Sequence, residues 1–195
     1  MPTSSHGLFE AVLTVREIPT DPRIPALIWW AKRMAELGLT PSYGLGDHGN
    51  LSCRTSAGLI ITARATMKAA LDAEHVVEIL SVTAGETGVK MACRGLHLPS
   101  TDTLLHWQIY ERRRDVHAIF HGHDPQTLAH AEALRLPITT ISASRPSLEV
   151  INEASALAAS VDYLLLRDHG FVALGTSPDD AGEKVRMLAT RARSL

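Results

Sequence analysis

Residues 98–125 read LPSTDTLLHWQIYERRRDVHAIFHGHDP, and the two halves of that stretch ask for different backbones. The first half reads as a helix. Ser100 or Thr101 supplies the cap, Asp102 lies in the first turn and arginines fill the last, the polarity that the helix dipole favours. The second half, VHAIFHGH, is a strand-like apolar run that ends on two histidines. A further helical stretch, DPQTLAHAEALRL, begins at once. Helix, strand and helix within so few residues place the chain in the α/β class.

Side chains two apart on a strand share a face, so His121 and His123 can converge on one point while Gly122 lets another part of the chain pass close behind. Read alone, the pair is better explained as a half-exposed strand end. A third histidine occupies a comparable place in LLLRDHGFVALG, where an apolar run stops at Asp168-His169-Gly170 and a new one starts. Such a turn on a rigid scaffold is a common place for function, and equally for an ordinary turn histidine. Asp102 is either a first-turn acid held by helix amides or a carboxylate that binds a metal or moves a proton. Its position does not decide between them.

Outward from these motifs the chain keeps mixing helices and strands. Pro25 opens PALIWWAKRMAELG, with Leu27, Trp30, Met34 and Leu37 on one stripe and Gly38 at the end. Leu51–Arg54 and Leu59–Thr62 predict a hairpin, and Val76–Val82 with Val89–Cys93 a second strand pair. PITTISA reads as β-rich, SLEVINEASALAAS as helical, YLLLRDHGFVALG as two strands around a turn, and SPDDAGEKVRMLATRA as a closing helix. There is no internal repeat and no low-complexity linker. The expectation is a single domain over residues 1–195, with 1–24 as an N-terminal extension.

Composition narrows the function classes. With 195 residues, 45% of them hydrophobic and 21% charged, the chain can bury a core without cross-links. No window approaches the roughly 18 consecutive apolar residues of a membrane span. A net charge of −2 and a pI near 6.5 give no general field for nucleic acid, and the Arg112-Arg113-Arg114 run reads as a solvated helix end. Cys53 and Cys93 belong to no paired-thiolate motif and predict buried free thiols, so any metal here must use histidine and carboxylate. The first residues do not read as a secretion signal, which favours the cytoplasm.

Four motifs, GNLSCR, LIITARATMKAAL, LPSTDTLLHWQIYERRRDVHAIFHGHDP and YLLLRDHGFVALGTSPDDAGEKV, together resemble the class II aldolase/adducin family from about Gly46 to Val185. The resemblance implies a three-layer α/β/α fold with a mainly antiparallel central sheet. It also implies a divalent ion, zinc first and manganese or cobalt as alternatives, held by His121, His123 and His169. Asp102 stands where the family acid is usually Glu; an Asp there is closer to the ribulose-phosphate epimerase branch than to the fuculose-phosphate aldolase branch. Asn50, Ser100 and Thr101 match the family's phosphate pocket. The remaining loop, Thr-Pro-Thr/Ser-Gly in relatives, is Thr62-Ala63-Arg64-Ala65 here, so a glycine is missing and Arg64 becomes a candidate anion clamp. No tyrosine follows Val172, and the family's tyrosine proton donor has no match by motif.

What the resemblance implies for function is a metal-dependent aldolase that makes or breaks a carbon–carbon bond in a small sugar phosphate through a metal-stabilised enediolate. Epimerisation, and dehydration or decarboxylation on the same site, are alternatives. An adducin-like interaction module without catalysis is the rival from another class. A homotetramer with sites at subunit boundaries is the implied assembly.

Overall fold

The computed structural model describes residues 3–5, 8–85, 88–143 and 147–195. Among them the strands are β1 (Thr3–Ser5), β2 (Phe9–Val15), β3 (Asn50–Arg54), β4 (Leu59–Thr62), β5 (Val76–Gly85), β6 (Gly88–Arg94), β7 (Ala118–Gly122), β8 (Tyr163–Leu166) and β9 (Gly170–Gly175). The α-helices are α1 (Ile24–Glu36), α2 (Thr103–Arg112), α3 (Pro125–Ala129), α4 (Leu148–Leu157) and α5 (Pro178–Ala192). The strands form one sheet in the order β1-β2-β6-β5-β4-β3-β7-β9-β8. Every neighbouring pair is antiparallel except β2 with β6.

Strand alternation divides the apolar residues between two faces. Leu59, Ile61, Ile119, Val172 and Leu174 enter a core under α2 and α4; Ile60, Phe120, Phe171 and Ala173 enter another under α1 and α5. The result is the expected three-layer α/β/α arrangement with a mainly antiparallel sheet. On α1 the predicted stripe is real: Leu27, Trp30 and Met34 are buried, each contributing roughly 1.5–3 kcal/mol. Gly38 ends that helix at φ +72°, with Leu39 N–H returning to Met34 O at 2.9 Å. Trp30 is buried and donates to Asp179 Oδ1 at 2.8 Å, whereas Trp29 is exposed. Both cysteines are buried free thiols.

The structure departs from the sequence expectations in four places. The cap of α2 is neither Ser100 nor Thr101: Asp102 holds the N-cap position and makes no side-chain cap bond, while its Oδ2 accepts from Asn50. The helix expected over Asp124–Leu136 ends at Ala129 and continues as turns, closing with Arg135 at φ +54° and Leu136 N–H bonded to Ala131 O. PITTISA is not a strand. It docks on the edge strand β8 through Leu165 N–H to Pro137 O and Thr139 N–H to Leu165 O, with one isolated bridge at Ile138. Finally, Phe9–Val15, inside the stretch read as an extension, is a strand of the sheet whose Phe9, Ala11 and Leu13 face the core. The predicted turn between β5 and β6 contains residues 86 and 87, which lie outside the described residues.

Candidate active site

His121 is set by the register of the sheet. It pairs with Asn50 on β3 and with Val172 on β9, and it shares a face with Ile119, beneath α2. One residue on, Gly122 faces the opposite layer, where an added Cβ would lie 2.6 Å from Phe171 Cζ and 2.8 Å from both Leu39 O and Met34 Cε. The close passage expected behind the His-x-His pair is therefore present. His123 lies just past the strand, with its N–H donating to Leu39 O at 2.8 Å. His169 lies in the β8–β9 turn beside Asp168, which takes φ +59°, a conformation Asp tolerates better than most residues. The chain after it must hug β7: a Cβ on Gly170 would stand 2.1 Å from Gly122 O.

These constraints bring the three histidines together. One ligand atom from each of His121, His123 and His169 lies within 4.8 Å of the others, and His121 Nε2 is 3.2 Å from His169 Nε2. His121 Nδ1 is 2.7 Å from the Phe171 carbonyl, so Nδ1 carries the proton and Nε2 presents its lone pair to the group. Burial pushes His121 well below the ordinary imidazole range, with His169 adding to the effect, and pushes His123 down to about 2. His169 is lowered by the same cause. Neutral imidazoles are the form that binds a metal. The donor set therefore fits a divalent ion, and three nitrogens leave coordination positions open.

Asp102 stands beside this group without joining it. Its Oδ2 is 3.8 Å from His121 Nε2 and accepts a 2.6 Å hydrogen bond from Asn50 Nδ2. Asn50 itself is buried, with Oδ1 unmatched. The three histidines, Asp102 and Asn50 line a cleft of about 390 Å³ whose walls also include Arg64, Ser100 and Thr101. Every candidate site residue from the sequence thus lines one cavity. Tyr43, exposed among its lining residues, lies tilted against His48, whose ring stacks at 4.5 Å on that of His123. Tyr110 and Tyr163 are buried and line none of it.

Sequence reasoning missed Lys68. This residue lines the cleft yet is only 1% exposed, and burial lowers its pKa to about 8. Its Nζ donates to Asp47 O at 3.3 Å and Thr66 O at 3.0 Å, while the Asp47 carboxylate accepts from the Lys68 backbone N–H instead. Among the described residues Lys68 makes no ion pair. In TMKAAL nothing marks it, because its surroundings include the loop at Asp47, which is remote in sequence.

The missing glycine of the Thr62–Ala65 loop also has a structural trace. Ala65 sits at φ +52°, and an added Cβ at Gly46 would stand 2.6 Å from its carbonyl carbon. A left-handed alanine costs about 1–2 kcal/mol, partly offset by the extra freedom glycine has when unfolded. Ala65→Gly is therefore expected to stabilise the protein by about 0.5–1 kcal/mol in urea unfolding. A loss of stability would show that the loop is not strained.

A model of the class II aldolase and adducin N-terminal domain family matches residues 26–195. The methylthioribulose-1-phosphate dehydratase of Gluconacetobacter diazotrophicus is 37% identical over 110 residues, which are 54% of this chain and 48% of the relative; the match spans about half of that relative's length. The L-fuculose-1-phosphate aldolase of Thermus thermophilus superposes with a TM-score of 0.69 at 20% identity, covering 88% of this chain and 91% of the other. The N-terminal class II aldolase domain of a Thermoplasma acidophilum protein gives 0.67 at 15% identity, covering 94% and 98%. Identities this low speak for the fold alone. The family match, by its length, establishes that the chain belongs to the class II aldolase and adducin N-terminal domain family.

Proposed function

We propose that the protein is a divalent-metal-dependent lyase that removes water from a small ketose phosphate. The observation that carries the reading is the meeting of three neutral imidazoles in a cleft that is also lined by a buried lysine whose ammonium makes no direct ion pair among the described residues. Zinc suits three nitrogen donors with open positions, and manganese or cobalt could occupy the same set. A divalent ion held by His121, His123 and His169 would draw electron density from a carbonyl oxygen and so acidify the adjoining C–H bond.

Asp102 is the group that handles the proton. Asn50 fixes Oδ2, and Oδ1 has no hydrogen-bond partner among the described residues, which leaves one carboxylate oxygen available as a base. The C–H electron pair becomes a carbon–carbon double bond, the C–O bond one carbon further breaks, and the hydroxyl leaves as water with the proton Asp102 has gained. Lys68, Arg64, Ser100 and Thr101 would hold the anionic end of the substrate. Burial of the Lys68 ammonium is costly and only partly offset by the Asp47 carboxylate nearby, and a phosphate placed against it would reduce that cost further.

The methylthioribulose-1-phosphate dehydratase relative favours dehydration. Carbon–carbon cleavage is the second reading, favoured by the length of the aldolase-family match. Incubating the metal-loaded protein with methylthioribulose-1-phosphate and other ketose phosphates, followed by mass spectrometry, separates them. Loss of one water is expected; two carbonyl fragments would establish aldol cleavage instead. An unchanged panel with full metal occupancy would overturn both.

Lys68→Met should act with opposite signs on two measurements. The folded pKa lies below the usual lysine value, so the unfolded chain binds the proton more tightly and stability rises with pH between about 8 and 10.5. At pH 7 the penalty is fully present, and its removal is expected to stabilise by on the order of 2 kcal/mol, less the cost of two carbonyls left unpaired. Binding of inorganic phosphate should weaken at the same time. Unchanged phosphate binding would remove Lys68 from the anion site.

A further inference from the structure

Behind Asp102 a polar seam runs between α2 and β3. Asp102, His106 and Tyr110 follow one another at four-residue steps along the helix, while Asn50, Ser52 and Arg54 alternate along the strand on the face opposite Leu51 and Cys53. Eight helical residues rise about 12 Å and four strand residues about 13 Å, so the two rows stay in step. Each crossing is bonded. Asn50 Nδ2 donates to Asp102 Oδ2 at 2.6 Å, Ser52 Oγ lies 2.7 Å from His106 Nδ1 and 2.9 Å from Tyr110 OH, and Arg54 donates to Tyr110 O at 2.6 Å with its guanidinium 4.7 Å above the Tyr110 ring.

Two polar atoms of the seam are buried and unmatched: Asn50 Oδ1 and His106 Nε2. Counting hydrogens orders the rest. If His106 Nδ1 carried the proton, Ser52 would donate to Tyr110, the Tyr110 hydroxyl hydrogen would have no acceptor, and Nε2 would be a bare buried acceptor. With the proton on Nε2, Tyr110 donates to Ser52 and Ser52 donates to Nδ1. The atoms then left over are one donor, His106 Nε2–H, and one acceptor, Asn50 Oδ1. An unmatched buried polar group costs about 1–3 kcal/mol, so the second order is the stable one.

We infer that Tyr110, Ser52 and His106 are positioning residues, a one-way hydrogen-bond chain that ties α2 to β3 one helical turn behind the Asn50–Asp102 pair and thereby holds that pair beside the histidines. The ring of His106 stays neutral throughout, since full burial pushes it down to about 4. None of the three touches the cleft, so none is a catalytic residue. Their effect on turnover rests on Asp102 as the proton-handling group; the direction of the chain does not.

The test begins with nitrogen-15-labelled histidine in the full-length protein, where two-bond proton–nitrogen spectra report the tautomer without any substrate. His106 is expected as the Nε2–H form with a bare Nδ1. Tyr110→Phe, which removes a single oxygen, and Ser52→Ala should both move the Nδ1 signal. In the metal-loaded enzyme both should lower kcat by roughly 10-fold, with KM and metal content unchanged, and Ser52→Thr should recover most of the loss. An Nδ1–H tautomer in the natural protein would overturn the chain. So would a kcat unaffected by either change, or nitrogen signals that stay in place. Should Ser52→Ala fail to fold, Tyr110→Phe carries the same test. If the natural protein turns over no sugar phosphate, the failure belongs to the proposed reaction, and the nitrogen signals alone decide the chain.

Discussion

His121→Ala is expected to leave the protein folded but unable to retain a divalent ion. Three imidazoles supply the donors, and His121 is the one whose orientation is fixed by a backbone carbonyl, through Nδ1 to Phe171 O at 2.7 Å. Losing an outer-shell partner of such a ligand typically costs 10- to 100-fold in affinity, so losing the ligand itself should cost more than about 100-fold. Plasma emission analysis of the purified variant should find well under one equivalent of metal, and turnover should vanish with it. Saturation of the natural site at 100 times its dissociation constant stabilises by about 2.7 kcal/mol, and that metal-dependent rise in melting temperature should disappear. The variant also leaves the Phe171 carbonyl without its donor, a cost of about 1–3 kcal/mol that a metal-free comparison isolates. Full metal retention by His121→Ala would sink the triad as the metal site. A natural protein that takes up no ion at all would favour the non-catalytic, adducin-like role.

Acid should mimic the loss. All three histidines have folded pKa values below the unfolded one, so the unfolded chain takes up protons first as pH falls through about 6.5. The contribution of these histidines to the stability of the metal-free protein is fully present above that pH and is lost as pH falls below it. Bound metal opposes the decline, because the same nitrogens cannot hold both a proton and an ion.

Local rules made the histidines legible only as candidates, and the resemblance of four motifs to the class II aldolase/adducin family is what joined all three as one metal set. A two-residue strand period aligns His121 with His123, and a turn between two apolar runs exposes His169; the sheet register then does the joining. Asp102 was visible as a helix-start acid, although its bond to Asn50 depends on β3 lying under α2 and could not be read from either segment. Lys68 was not legible at all. Its ammonium is met by the Asp47 carbonyl from a loop remote in sequence, and a lysine among alanines and a methionine looks like any solvated cation. The strand at Phe9–Val15 did alternate, with Phe9, Ala11 and Leu13 turned inward, but the prolines after it drew the reading toward an extension. PITTISA failed for the opposite reason. Its β-branched residues favour a strand, yet Pro137 lacks an N–H, and the segment meets the edge of β8 mostly through isolated bonds.

Asp102→Asn separates the two roles the sequence left open for this acid. The substitution keeps the shape of the side chain, and its amide can still present an oxygen to Asn50 Nδ2 across the present 2.6 Å contact. What disappears is the negative charge and the ability to take a proton. General acid–base catalysis contributes typically 10²- to 10⁴-fold, so kcat should fall by about that factor while KM changes little. Metal content should be unchanged, because Asp102 is not among the three residues whose ligand atoms all lie within 4.8 Å of one another. If instead metal affinity falls together with kcat, the carboxylate is a ligand and the proton must be handled elsewhere in the cleft. Asp102→Glu sharpens the distinction. It restores the charge but extends the carboxylate by one methylene from a backbone position fixed at the start of α2, which carries the oxygen past the Asn50 amide. Partial recovery of kcat without any change in metal content would mean that charge and basicity matter more than the 2.6 Å bond. No recovery at all would mean that the Asn50 bond sets the direction in which the proton is taken, and that the shorter acid is matched to this site rather than a neutral exchange for the longer one.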